Sequence, residues 1–412
     1  MEPPTPPLGL DPFGGIIDGA SIVPGLKEKS LMNRLLVLGI VLAASTNEAS
    51  FGRTGATLTS IPNLNFAVRS SPKAISGDGS IVVGQTVTGG QQVGAYWRGQ
   101  GAPTVLQSTF IATGVSQDGT AICGNFYAGG GAFRWSAASG FQTYVHPSWS
   151  SQQAYSISGD GDVIFAGGHT SYGGRGFAWV GDSLYGIGMW GCCQNQSSTV
   201  DVCDTGDWGV AVSAYNSDSN YFRCTGTGSP TDLLGFYAHA INQDGGVIVG
   251  QRFRWIEGRG KVPFTVGPSE YFEAWDVSAD GTVVIGNLSA TTFNFPVIWE
   301  EGRGLTRLTD YLATQGIDLS GWVIGNAVAI SSDGTAIVGN GTYQGVAQTW
   351  LVRGLWHAQR CDLDRDGEIT GADLAEVLLD FGSTVNELLT DIDRDGAVGG
   401  GDVSVILLEW GN

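Results

Sequence analysis

The stretch AISGDGSIVVG, Ala74 to Gly84, decides the fold. Its centre, Asp78-Gly79, is a tight-turn signal, because glycine after aspartate accepts the positive φ that such turns require. Ala-Ile before the turn and Ile-Val-Val-Gly after it read as two short β runs. The pattern returns as GVSQDGTAICG (Gly114–Gly124), SISGDGDVIFAG (Ser156–Gly167), AINQDGGVIVG (Ala240–Gly250), DVSADGTVVIG (Asp276–Gly286) and AISSDGTAIVG (Ala329–Gly339). A degenerate copy, DVCDTGDWGVAV, begins at Asp201, with Thr205 where the aspartate usually stands. Seven copies thus run from Asp78 to Asp333, one about every 42 residues.

Each copy leads to an aromatic strand: GAYW ends at Trp97, GAFRW at Trp135, GFAW at Trp179, RFRW at Trp255, PVIW at Trp299 and AQTW at Trp350. The degenerate copy offers YFRC, with Cys224 in the tryptophan position. A Thr-x-Leu segment such as Thr104–Leu106 adds a fourth strand, and four strands in a unit of this length make one propeller blade. The fold class expected is all-β, a seven-bladed propeller over 51–354. The chain enters at LTSIPNL (Leu58–Leu64) with no tryptophan strand before it and leaves after an orphan tryptophan strand at Trp350. The last strand then completes the first blade and removes the open edges of the array. An open β-solenoid is the alternative, disfavoured by the constant unit length and the matching ends. The units resemble the HAF-type extracellular repeats of secreted bacterial proteins in their Ser-x-Asp-Gly and aromatic-x-Trp elements. That resemblance implies a propeller-like repeat fold and no activity.

Single carboxylates in repeated turns read as structural, since Asp bonds its own backbone there. Asp78, Asp118, Asp160, Asp244, Asp280 and Asp333 are placed in that class, and the repeat tryptophans are read as core between blades. Gly at 65 of 412 residues, 14% charged residues and 13 Trp suit many short strands joined by tight turns. The formal net charge is −19 and no basic stripe follows a phosphate backbone, which excludes nucleic acid as partner. The four histidines, His146, His169, His239 and His357, are scattered, and neither a nucleophile elbow nor a phosphate loop is present.

Residues 1–31 are rich in Pro and Gly and read as a disordered or misannotated extension. From Met32 a basic residue, a short apolar run and small residues lay out a signal peptide over 32–49. The run is about half a bilayer long, so no membrane span is expected after cleavage. A buried apolar helix is the rival reading. Cys192, Cys193, Cys203 and Cys224 lie close enough for one or two disulfides, with a zinc site as the weaker alternative, while Cys123 reads as a core thiol.

The C-terminal segment 361–412 is different. From Asp362 the loop positions one, three, five, seven and twelve are Asp364 at three, Asp366 at five, Glu368 at seven and Asp373 at twelve, with Gly367 at six. From Asp391 the same positions hold Asp393, Asp395, Ala397 and Asp402, with Gly396 at six. Carboxylates at one, three, five and twelve, a turn glycine at six and the carbonyl of residue seven enclose a hard cation. Two Ca2+ ions are expected. The eighth residues, Ile369 and Val398, turn into a shared apolar core, and helices follow over Ala372–Leu379 and Asp402–Trp410. This resembles a type I dockerin, a duplicated calcium-loop module with EF-hand-like (F-hand) units. The resemblance implies a cohesin-like or other extracellular protein partner. At the tenth and eleventh positions, where dockerins often carry Ser or Thr, this chain has Gly371 and Ala372, then Gly400 and Gly401. The reading is of a secreted calcium-binding protein with a propeller for recognition, a glycan being one candidate ligand. Its alternative is an enzyme or accessory subunit of polysaccharide degradation.

Overall fold

In the turn Ser76 to Ile81, Ser76 Oγ donates to Asp78 Oδ1 at 2.8 Å and accepts the Ile81 N–H at 2.9 Å, while Asp78 Oδ1 also accepts the Ser80 N–H. The same arrangement recurs at Ser116–Asp118, Ser158–Asp160, Ser278–Asp280 and Ser331–Asp333. The hydroxyl spans a turn that would otherwise bury an unpaired N–H. In the degenerate copy Cys203 Sγ takes that place and accepts the Trp208 N–H at 3.3 Å. All seven turn glycines have positive φ, from +69° at Gly79 to +79° at Gly161. Burial raises the Asp78 and Asp118 carboxyls, but the serine hydroxyls and backbone N–H groups outweigh it and hold both below the ordinary aspartate value. These aspartates are structural, as the sequence implies.

The computed structural model describes residues 55–62, 70–106, 109–127, 131–145, 150–170, 173–187, 196–215, 218–290, 293–355, 361, 363, 369–384, 390–392, 397–408 and 410. The two segments 1–31 and 32–49 lie outside them, as do Cys192, Cys193, His146 and His357. The strands form seven four-stranded antiparallel sheets, one per repeat. Blades 1 to 6 run in chain order over 71–105, 109–144, 150–186, 196–233, 238–263 and 271–307. Blade 7 takes three strands from 322–353, and its outermost strand is Thr57–Ile61, paired with Val346–Arg353 so that Ser60 faces Trp350. The orphan ends found in the sequence therefore meet in one sheet.

Each blade is flanked by neighbours on both faces, so its second strand opens with a buried, largely apolar run; Val247–Gly250 is buried at every residue. The core lies in the seams. Ile61, Ile75, Val82, Trp97, Val338 and Leu351 fill the seam of blades 7 and 1, and comparable clusters fill the other six. Trp97, Trp179, Trp255, Trp299 and Trp350 are all buried. Cations brace some seams: Arg223 lies 3.7 Å over Trp208 and reaches Glu257, and Arg254 lies 4.4 Å over Trp299 and reaches Glu301.

At the turn end of the ring, neighbouring blades are linked by backbone bonds around the axis. Gly77 N–H donates to Gln117 O, Gln117 to Gly159, Gly159 to Asp204, Thr205 to Gln243, Gln243 to Ala279, Ala279 to Ser332, and Asp333 back to Gly77. The circuit is closed. It also explains a sequence detail: a Cβ on Gly77 would stand 2.4 Å from Gln117 Cγ.

One element is added and one expectation is corrected. The blade 6 to blade 7 connection contains a helix, α1 (Leu308–Thr314), whose Leu308, Tyr311 and Leu312 complete the seam cluster. Cys203 and Cys224 are free thiols, not disulfide partners. Cys203 serves as a turn acceptor, and burial pushes Cys224 up to about 12, as it does Cys123. Beyond the ring, α2 (Gly371–Asp380) and α3 (Gly400–Leu408) form the terminal module. Leu363, Ile369, Val377, Ile392, Val398 and Ile406 share its core, each of the first three matched by a residue 29 positions later.

Candidate functional site

The terminal module places two of its described ligand candidates, Asp373 and Asp402, in the first turns of its helices. Thr370 caps α2 by accepting the Ala372 N–H, and Asp373 answers by accepting the Thr370 N–H at 2.7 Å and the Leu363 N–H at 2.6 Å. Asp402 accepts the Gly399 N–H at 2.6 Å. Both carboxylates are fully buried, an arrangement that charged groups adopt only with polar or ionic compensation. Asp391 is buried too, and pairs with Arg259 from the blade 5 turn. Ala397 lies at the seventh position, half-buried. Asp362, Asp364, Asp366, Glu368, Asp393 and Asp395 lie outside the described residues. Among the described residues no group of three or more His, Cys, Asp or Glu converges. The donors that are described fit a hard cation in kind: anionic oxygen, buried, and at Asp391 already facing a positive charge.

A second site lies on the propeller axis and was not anticipated from the sequence. A cavity of about 250 Å³ is lined by the first strand of every blade. At one end stands the backbone circuit, and Ser332 Oγ of blade 7 donates to Asp204 Oδ2 of blade 4 at 3.1 Å, bridging the axis. The cavity is therefore a cup. One level out, the repeat places Ala74, Gly114, Ser156, Ala240 and Ala329, but Asp201 in blade 4 and Asp276 in blade 6. The next level carries Lys73, Thr113, Tyr155, Val200, His239, Trp275 and Val328.

The two aspartates are held rigidly. Asp201 accepts the Val202 N–H at 2.9 Å, the Ile241 N–H of the next blade at 3.1 Å and the Ser156 hydroxyl. Asp276 accepts the Val277 and Ile330 N–H groups, each at 2.9 Å. Burial pushes Asp201 up to about 6 against these bonds, with the Asp204 charge adding to the rise. Burial pushes Asp276 up to about 7, the Asp201 and Asp204 charges adding repulsion. Asp204 is raised by burial and by Asp160. His239 stacks edge-on against Trp275 at 4.7 Å; burial lowers its pKa although Glu273, 3.6 Å from Nε2, opposes this. Trp275 and Tyr155 are 36% and 38% exposed, so two aromatic faces remain open at the mouth.

No family model matches the chain, so neither the repeats nor the terminal module is assigned by one, and no curated protein matches it. Solved structures with a similar arrangement include oligogalacturonate lyase from Vibrio parahaemolyticus, at 10% identity and TM-score 0.49, covering 73% of this chain and 97% of that one. The β-propeller domain of Myceliophteria thermophila Cps50 (Swd1) has 10% identity and TM-score 0.45, covering 71% and 98%. TolB from Acinetobacter baumannii has 10% identity and TM-score 0.37, covering 74% and 66%. Likenesses at this level assign no activity. Among the described residues no helix is long and apolar enough to cross a membrane.

Proposed function

We propose that the protein is exported and works as a recognition module: the propeller binds, and the terminal segment, a dockerin-like unit folded around two Ca2+ ions, attaches it to a protein partner. The observation that supports this most is the duplication inside the terminal module. Leu363 and Ile392, Ile369 and Val398, Val377 and Ile406 are equivalent pairs in one core, with Asp373 and Asp402 buried at equivalent positions. The exposed residues follow the same spacing. Leu378 pairs with Leu407, Leu379 with Leu408, and Phe381 with Trp410, all large, apolar and accessible. A duplicated apolar face on a small module suits docking to a protein.

When bound, calcium supplies the positive charge that the carboxylates at one, three, five and twelve require. The residues that would hold it are Asp362, Asp364, Asp366, Glu368 and Asp373, and Asp391, Asp393, Asp395, Ala397 and Asp402. Without a cation, carboxylates this close repel one another, and a module with so small a core cannot absorb that.

Hydrolysis of a polysaccharide is the second reading, favoured by two carboxylates with raised pKa in the axial cup. Each of them, however, spends both oxygens on backbone N–H groups, which fixes it as an acceptor. That favours holding a ligand over transferring a proton. The test of the main reading is calorimetric titration of the full-length chain with calcium, together with hydrogen exchange across α2 and α3. Two ions bound per chain and slower exchange in both helices are expected. Absence of binding at millimolar calcium would remove the attachment role and leave the propeller's role open.

A further inference from the structure

The repeat keeps its axial position small in five blades, and only blades 4 and 6 break it, with Asp201 and Asp276. Each carboxylate ties its blade to the next through the Ile241 or Ile330 N–H, a link that the blades carrying Ala, Gly or Ser in the same place do without, and each also brings a negative charge to the cup wall. Both side chains line the cup, and the N–H bonds fix their direction without using every lone pair. Blade 5 stands between them and contributes His239, whose Nε2 makes no hydrogen bond and lies 3.6 Å from the Glu273 carboxylate of blade 6. Across the cup the walls are Ala329, Ala74 and Gly114, which leave the volume open. Trp275 stands beside Asp276 on the same strand with an accessible face, where a cation or an apolar ring gains contact.

We propose that this cup binds a small molecule of single-ring size carrying a protonated primary amine, the amine held by Asp201 and Asp276 and the body set against Trp275. The size follows from the cavity, which falls below the roughly 300–1,000 Å³ of ordinary ligand pockets. The occupant is a free small molecule because the cup is blind at the Asp204–Ser332 bridge and has no room for a passing chain. This goes beyond the recognition reading, which leaves the ligand and its place on the propeller undefined.

The charges around the cup set the pH response. Asp201 faces Ser156 of blade 3 and the Ile241 N–H of blade 5; Asp276 faces the Ile330 N–H of blade 7; both feel Asp204. His239 and Lys73 are the basic groups lining the cavity. Carboxyls with raised pKa become neutral on mild acidification, and His239 gains charge in the same direction, so an ammonium ligand is released as pH falls.

The full-length protein is titrated by calorimetry with cyclohexylamine and, separately, with its neutral counterpart cyclohexanol, at about pH 8 and about pH 5, a span over which the amine itself stays protonated. At the higher pH the amine is expected to bind one per chain, about tenfold or more tighter than the alcohol. At the lower pH that preference disappears. Asp276→Asn and Asp201→Asn each reduce it by about tenfold, with circular dichroism checking that the ring is intact. Equal binding of alcohol and amine, a preference that persists unchanged at the lower pH, or no binding of either compound overturns the proposal. The wild-type pH comparison decides the matter even where a variant fails to fold. A failure here leaves the calcium-dependent attachment reading untouched, since that is read in the other module.

Discussion

Trp350 is completely buried in the seam of blades 6 and 7, on the strand that pairs with Thr57–Ile61, while Leu408 of the terminal module is 81% exposed. The two regions are built on different physics. Every blade of the ring is gripped from both sides, so apolar burial in the seams is its main support, with the backbone circuit and the Arg223 and Arg254 braces added to it. The module has one small cluster for two helices and two acidic loops. Asp373, Asp391 and Asp402 are all buried in it, and Asp391 pairs with Arg259, which belongs to the propeller. The proposed function predicts a contrast between them: a ring that keeps its fold in chelator and a tail whose order follows calcium.

Three substitutions break or sharpen that contrast. Trp350→Ala is expected to have the largest effect, destabilising the ring by about 3–5 kcal/mol in denaturant unfolding, with no change in the calcium response of α2 and α3. A ring midpoint that does not move would refute the account of the seam. Next, Arg259→Ala removes the counter-charge of Asp391. In chelator it should weaken the module's hold on blade 5 by about 2 kcal/mol, read as faster proteolysis between the two parts, and calcium should abolish the difference. The smallest effect belongs to a repeated element. Asp78→Ala loses one of seven similar turns and should cost about 1 kcal/mol in the same unfolding experiment, with calcium binding unaltered. A loss as large as that of Trp350→Ala would mean that the turns, not the seams, carry the ring.

The propeller was legible because its signals are local and repeated. Ser76, Asp78 and Gly79 are neighbours in sequence and form one turn, and the same three types recur at fixed spacing. The cup was not legible, because its lining comes from seven strands far apart in the chain. A trace was present all the same: Asp201 and Asp276 occupy a column where the other copies have Ala, Gly or Ser. Helix α1 was hidden in a connection read only for strands, although Leu308, Tyr311 and Leu312 already carry helical spacing. At Cys203 and Cys224 the cysteine reading failed for a definite reason. Proximity in sequence suggested bonds, but Cys203 replaces a turn serine and Cys224 a strand tryptophan, and each is absorbed by the seam on its own side. In the terminal module, spacing predicted the helices and the buried eighth residues. It did not predict that Arg259, 132 positions earlier, would meet the second loop.

The pairing of Thr57 with Arg353 has a consequence for how the molecule assembles. A growing chain can make its first six blades in order, but the seventh lacks its rim strand until a segment synthesised at the outset is recruited across the whole sequence. Contacts of such long range are slow to form, and an unfinished sheet is adhesive meanwhile. Trimming even a few residues around Thr57 would therefore be felt in the blade made last, and its symptom would be clumping before any loss of binding.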